Sequence, residues 1–437
     1  MHQFIRSLLT TISLTISVNS FCQLTFENID SINKYAEKNS ITIMSGNISA
    51  AQAKQGKLAA LLSIPEISGG VSFNFTNNVK LPVSLFPAEA FGGQAGTFRE
   101  IQTGIQYNSY FGQNLDVKIM NLPAWKNLKL AKVNLDITTT SNLLTKKALF
   151  DNINTTYYTI IQLQEQLKLA KQSTGMAEQL LQITTNKHTE QLARLSDLNE
   201  SKVNLLSKKE IEEQYRLLLN YYNKALSILL DIPADSTIIL TETIKVIPNK
   251  NTLTATDNTL TYKNAVAKEQ YALSTYQQSK LSFLPSLSFF GNNNYNLYNQ
   301  SFKLLDGTWI NSQQIGFRVN INIPSSQLIS NRTKAKYDYL LAQKNVTQIL
   351  NKSSLESIQL NIDYEKACSQ YKTNKEISLL REESYKKNLE LYKEGIIGLD
   401  QTLTSFTNLI TSQENLIISA ATVLLTASKI TLNNTIK

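Results

Sequence analysis

Side chains that could do acid–base, nucleophilic or metal chemistry are few and scattered along these 437 residues. The chain has two histidines, His2 and His188, and two cysteines, Cys22 and Cys368. Metal sites and nucleophilic centres need partners at fixed spacings, and no HExxH, CxxC, P-loop or GxSxG pattern occurs. Once the first 22 residues are removed His188 is the only histidine, and a lone histidine at a helix tip reads as a surface residue. Glu382 and Glu383 are adjacent, but they sit in REESYKKNLELYKE, where charges of both signs mix as on a solvated helix face. Asp197 and Glu200, three apart after KHTEQLARLS, fall where the first turn of a helix favours negative charge. These residues predict no enzyme, no cofactor and no metal.

The elements around them suit an exported, extended molecule. Residues 1–22 carry Arg6, an apolar run from Leu8 to Val18, and small residues at Ser20 and Cys22, which is the layout of a signal peptide cleaved after Cys22. Lipidation would make Cys22 the new amino terminus, but Asn19-Ser20-Phe21 lacks the leucine and small residues of such sites. With Cys22 removed, Cys368 has no disulfide partner and reads as a small buried hydrophobe. No later run offers the ~18 uncharged apolar residues of a spanning helix. The formal charge of +9 is spread along helices with Glu between the Lys and Arg, so it marks wetted faces and argues against nucleic acid as a partner.

Four stretches alternate with period two, the signature of a strand with one apolar and one wet face. EISGGVSFNFT places Ile67, Val71, Phe73 and Phe75 opposite Ser68, Ser72, Asn74 and Thr76. REIQTGIQYNSYF places Ile101, Ile105, Tyr107 and Phe111 opposite Gln102, Gln106 and Asn108. LPSLSFFGNNNYNLYNQ sets Leu287, Phe289, Tyr295 and Leu297 against Ser288, Asn292, Asn294 and Asn296, with Phe290 breaking the pattern. QIGFRVNINIP sets Ile315, Phe317, Val319, Ile321 and Ile323 against Gln314, Gly316, Arg318, Asn320 and Asn322. They predict two hairpins, about 66–112 and about 285–324.

Between the strands the period changes to that of a helix. From about Leu115 to Thr185 apolar residues recur three and four apart, as in Leu163, Leu167 and Ala170, which predicts a helix of roughly 100 Å that only other long helices could stabilise. Each long helix then breaks and restarts. One break, YKEGIIGLDQTL, has Gly395 and Gly398, with Asp400 placed to cap the next helix; the other, KHTEQLARLSDL, lacks glycine and has Ser196 in the capping place. The halves match: IPEIS resembles LPSLS, and LSDLNESKVNLL resembles LDQTLTSFTNLI. An internal duplication follows, with one repeat over 23–245 and its tip about 187–197, and the other over 246–437 and its tip about 393–401. Residues 232–258 read as the connector.

This order of elements, with LPSLSFFG opening the third strand, IGFRVNINIP closing the fourth, and YKEGIIGLDQTL before the final helix, resembles the outer-membrane efflux protein (TolC) family over residues 23–437. The resemblance implies a mainly α fold with a small β part. Four strands from each chain of a homotrimer would form a twelve-stranded barrel in the outer membrane, and the helices would form a coiled-coil tunnel through the periplasm. It implies as partners a periplasmic adaptor (membrane fusion protein), an inner-membrane transporter and outer-membrane lipid. Phe73, Phe75, Leu287, Phe289, Phe317, Val319 and Ile321 would face lipid. The tips would form a gate and adaptor contact through Ala193, Arg194, Leu195 and Ser196, and through Gly395, Ile397, Gly398, Leu399 and Asp400. Two acids in the second tip often ring the family's aperture, yet those places hold Gln401 and Thr404 here. Asp197 and Glu200 occupy the equivalent places of the first tip, either as a ring of up to six carboxylates, which in channels selects cations, or as ordinary first-turn acids. An exported coiled-coil interaction protein with a soluble sheet fits the same periodicities and would need no detergent.

Overall fold

The computed structural model of the chain describes residues 23–233, 236–246 and 259–436. The signal peptide, the fate of Cys22 and most of the connector lie outside the described residues. In chain order the elements are β1 (Gln23–Phe26), α1 (Ile29–Asn39), α2 (Ile41–Leu62), β2 (Glu66–Asn77), β3 (Val83–Pro87), β4 (Phe98–Gln102), β5 (Tyr107–Met120), α3 (Leu122–Thr189) and α4 (Leu195–Leu229). They continue with β6 (Thr237–Leu240), α5 (Leu260–Leu281), β7 (Ser286–Asn299), β8 (Ile310–Asn320), α6 (Ser326–Lys393) and α7 (Leu399–Thr435). The order α2, β2, β5, α3, α4 recurs as α5, β7, β8, α6, α7, and both long helices have 68 residues, so the duplication is present in the elements themselves.

Two compact units cut across the repeats: the described part of Met1–Ile48 with Ser141–Thr261 and Leu350–Lys437, and Ser49–Thr140 with Tyr262–Ile349. The first is mainly helical. Ile153, Tyr157, Ile160 and Ile161 follow the helical period on α3 and are buried in one cluster with Leu226 of α4, Leu230 just past its end, and Leu432 of α7. The connector is not all loop, because β6 pairs in parallel with β1 and buries Ile238 and Leu240 in that cluster. TIIL is too short for its alternation to stand out. One helix, α7, has an 18-residue window of mean hydropathy 1.5 and is long and apolar enough to cross a membrane by length and composition alone, although Glu414 and Lys429 keep its uncharged runs shorter than 18 residues. Its apolar residues have another use: Phe406, Leu409 and Ile410 pack against Leu169 and Ala177 of α3 and Tyr385 of α6. Cys368 is half-buried rather than buried, since its neighbour Ala367 takes the inward position.

The second unit holds the four-stranded antiparallel sheet, in the order β2-β5-β7-β8. Paired residues share a face, so the register fixes both surfaces. Ile67, Val117, Phe289 and Phe317 form one row of the first face, and Phe73, Phe111 and Tyr295 another. Phe75, Leu287 and Val319 lie on the same face, as their alternation requires. Ile67, Val71, Phe73, Ile315, Phe317 and Val319 are all exposed there. The second face carries Ser68, Ser72, Asn74, Asn292, Asn294, Asn296 and Gln314.

Three strand expectations are corrected. The run 99–111 is not one strand: Gly104 takes φ +104°, a conformation glycine permits, and the chain divides into β4, paired with β3, and β5, which runs on to Met120. The long helix therefore starts at Leu122 and not near Leu115. Ile321 and Ile323 lie beyond the end of β8 at Asn320, so Ile321 is no strand position although it is exposed. Leu297 keeps the predicted face but is only 1% exposed, because the loop after β7 folds over it, with Ser109 Oγ donating to the Leu304 carbonyl at 2.7 Å. Phe302 of that loop also meets the rings of Phe75 and Tyr107 edge-on.

The apolar face also carries a line of amides that alternation alone hides. Asn293 Nδ2 donates to Gln113 Oε1 at 3.3 Å, and Asn311 Nδ2 donates to Asn293 Oδ1 at 2.8 Å, so these groups satisfy one another. Phe290, the residue that broke the alternation, lies on the polar face directly opposite Gly316. Its ring covers the glycine so closely that a Cβ there would lie 3.1 Å from it, and Arg318 stacks over the ring at 4.7 Å while pairing with Asp116 at 3.6 Å. A missing side chain thus makes room for the ring, and a cation covers it.

Candidate functional site at the helical tips

Both tips close with the same backbone hydrogen bonds, displaced by a constant 204 residues: Gln191 N–H to the His188 carbonyl and Leu192 N–H to Lys187, against Gly395 N–H to Tyr392 and Ile396 N–H to Leu391. This is the helix-ending arrangement that needs one residue in the left-handed region. Gly395 supplies it at φ +79° in the second tip, and Gln191 at φ +62° in the first, so the missing glycine leaves the turn unchanged but strained. His188 is half-buried, and its Nδ1 lies 3.0 Å from the Ala193 carbonyl, which can only accept, so that nitrogen carries the proton and ties the first tip shut. Replacing Gly395 by Ala should cost about 1–2 kcal/mol locally. Hydrogen exchange of the Ile396 amide should accelerate roughly 5- to 30-fold, while Gln191→Gly should slow exchange at Leu192.

The capping expectations are corrected. Arg194 and Gly398 are the N-cap residues, both with extended backbones, and Ser196 and Asp400 lie inside the first turn. Asp197 supplies the side-chain contact of the first tip, its Oδ2 accepting from the Arg194 N–H at 3.1 Å. The 204-residue offset places Gln401 opposite Asp197 and Thr404 opposite Glu200. Asp197 is half-buried, whereas Glu200, Gln401 and Thr404 are exposed, and Thr404 Oγ1 donates to the Asp400 carbonyl at 2.8 Å. Ala193 and Ile397 are half-buried; Arg194, Leu195, Ser196, Gly395, Gly398 and Asp400 are exposed; Leu399 is buried.

Three hydroxyls that sequence reasoning missed join the tips. Thr184 of α3, 0% exposed, has its Oγ1 3.0 Å from the Tyr392 hydroxyl of α6 and 3.1 Å from Ser201 Oγ of α4. The Tyr392 ring packs with Leu180 and Leu399, and the Lys187 ammonium sits 5.2 Å from its centre. Burial pushes the Tyr392 phenol up, the Thr184 hydrogen bond opposes this, and the nearby Asp197 carboxylate adds to it. The repeat held the signal, since Tyr392 occupies the place of His188. The tips also expose Leu192 and Ile396, equivalent residues with no polar reason to be there. Among the described residues no group of three or more His, Cys, Asp or Glu is placed to hold a metal.

No protein-family model and no curated protein matches the sequence. Solved structures do match. The outer membrane protein VceC of Vibrio cholerae superposes with a TM-score of 0.74 over 92% of this chain and 95% of its own, at 12% identity. The chain has the fold of an outer-membrane channel. The CmeC outer membrane channel of Campylobacter jejuni gives 0.75 over 93% and 85% at 16% identity, and CusC, described as forming a transmembrane channel, gives 0.75 over 95% and 93% at 13%. Side chains this divergent preserve period and element length, so this channel fold is carried by patterning rather than by shared motifs.

Proposed function

We propose that the chain is one subunit of a homotrimeric outer-membrane exit duct, the passive channel of a tripartite efflux or secretion system. One observation carries this reading: the sheet is unfinished. Its outer strands β2 and β8 leave 12 and 11 residues with one unpaired edge each, and β2 and β8 run antiparallel to each other. Such edges invite pairing. Joining β8 of one copy to β2 of the next continues the antiparallel order, and a head-to-tail contact of this kind closes as a ring. Two copies would give the minimum barrel of about eight strands and three a barrel of about twelve; three is the number that the resemblance implies. In that ring the face bearing Phe73, Phe75, Leu287, Phe289, Phe317 and Val319 meets lipid, and the Asn- and Ser-rich face lines water.

The helices support the same assembly. Leu355, Ile358 and Ile362 of α6 and Leu217, Leu218 and Tyr221 of α4 are exposed at helical spacing, as seams that other copies would cover. At the tips, Leu192 and Ile396 suit contact with a periplasmic adaptor that links the duct to an inner-membrane transporter. The duct opens when the tip helices part, and solutes diffuse through without chemistry in this chain. Glu200, exposed, and Asp197, engaged with the Arg194 amide, supply up to six carboxylates at the aperture.

Reversal potentials of the detergent-extracted protein in planar bilayers test this. The wild type should form low-conductance pores that prefer cations, and Asp197→Asn with Glu200→Gln should reduce that preference several-fold. Pores with the same selectivity in both would assign these acids to the helix dipole alone, and absence of any pore would refute the duct.

A further inference from the structure

Where α5 passes into β7 and β8 into α6, a cavity of about 550 Å³ is lined by Tyr276, Phe283, Ile329, Arg332, Thr333 and Lys336. Ile329, Arg332 and Lys336 lie three and four apart, so one face of α6 carries them all. The Arg332 guanidinium lies 6.0 Å from the centre of the Phe283 ring, and the Lys280 ammonium 4.2 Å from that of Tyr276. No carboxylate lines the cavity, and among the described residues none of these three cations forms an ion pair. Their field reaches the phenol: a hydrogen bond from Lys280 first, then the charges of Lys280, Arg332 and Lys336, hold Tyr276 below its usual range. Three cations without counter-ions around a cavity call for an anion.

The surroundings specify which anion. Ile329 and Leu284 are 53% and 45% exposed beside the cations, and the paired apolar residues Leu287 and Val319 lie three residues after Leu284 and ten before Ile329 in the chain. A free phosphate would leave this apolar surface in water, whereas an amphiphile covers both parts. We propose that the cavity binds the phosphate group of a membrane phospholipid, with Arg332, Lys336 and Lys280 on the headgroup and the acyl chains along Leu284, Leu287 and Val319. The inference rests on the outer-membrane reading, because strands that cross lipid place this junction at headgroup level. Aromatic residues are enriched at that level, as Tyr276 and Phe283 are here.

Native mass spectrometry of the detergent-solubilised protein with added palmitoyl-oleoyl phosphatidylglycerol tests it. The wild type should retain lipid. Lys280→Gln with Arg332→Gln and Lys336→Gln should weaken retention by on the order of a hundredfold, and Arg332→Gln alone by about fivefold. All three side chains are exposed, and the oligomer mass with far-UV circular dichroism verifies that the variants fold. Inorganic phosphate should displace no more lipid than chloride of equal ionic strength. Equal retention by the triple variant would overturn the site while leaving the duct intact, and specific displacement by phosphate would assign the cavity to a free oxyanion. A protein that stays soluble without detergent would remove the membrane reading itself.

Discussion

Arginine in place of Ile315 is expected to abolish accumulation in the outer membrane, while arginine at the adjacent Gln314 leaves it intact. The two residues are neighbours on β8 with opposite faces, so the pair separates surface from position. Ile315 is 80% exposed and shares its row with Leu115. A lipid-facing arginine near the bilayer midplane costs about 2–4 kcal/mol, and three copies in a trimer would lose ~6–12 kcal/mol, as much as a whole domain commonly has. Gln314 pairs with Asn292 on the wet face, where a charge stays hydrated. Fractionated membranes and the urea midpoint of extracted protein measure the difference. Equal loss from both substitutions would mean that neither face meets lipid.

Truncating Tyr392 is expected to open the channel. Its ring is 5% exposed, packed with Leu180 of α3 and Leu399 of α7, and its hydroxyl meets Thr184. These contacts hold α6 to α3 at the tips, and parting the helices would break them. Deleting a buried aromatic ring costs about 3–5 kcal/mol, which would favour the parted state by roughly 150- to 5,000-fold if all of it falls on the closed arrangement. Tyr392→Phe removes only a hydroxyl bond of about 1 kcal/mol, close to a fivefold shift. Single-channel recording should therefore rank open probability as Tyr392→Ala, then Tyr392→Phe, then wild type. Indistinguishable open probabilities in all three would place the gate elsewhere.

The two strongest periods in the sequence, two for the strands and 3.6 for the helices, gave the order of the long helices and the four main sheet strands and both faces of that sheet. They worked because exposed apolar residues such as Phe73 and Phe317 answer to the face they occupy, whatever their neighbours. What they missed depended on single backbone positions or distant partners. Gly104 divides one alternating run into two strands because its φ is positive, and no side-chain pattern records that. Phe290 became intelligible only when register placed Gly316 opposite it. At the tips, Asp197 and Glu200 were visible as acids three apart, but the Thr184, Tyr392 and Ser201 hydroxyls come from three helices and meet only in the folded chain. Ser196 and Asp400 look like caps by residue type, yet the helices begin earlier, at Leu195 and Leu399, since the preceding turn fixes where helical geometry resumes.

The proposed duct requires this chain to complete its sheet with copies of itself inside a membrane. Mass measurement of the mature protein extracted in detergent tests it most directly. Extraction should require detergent, and the particle should contain three chains. A monomer or dimer that is soluble in plain buffer would contradict it, because edges as long as those of β2 and β8 would then be tolerated without a partner.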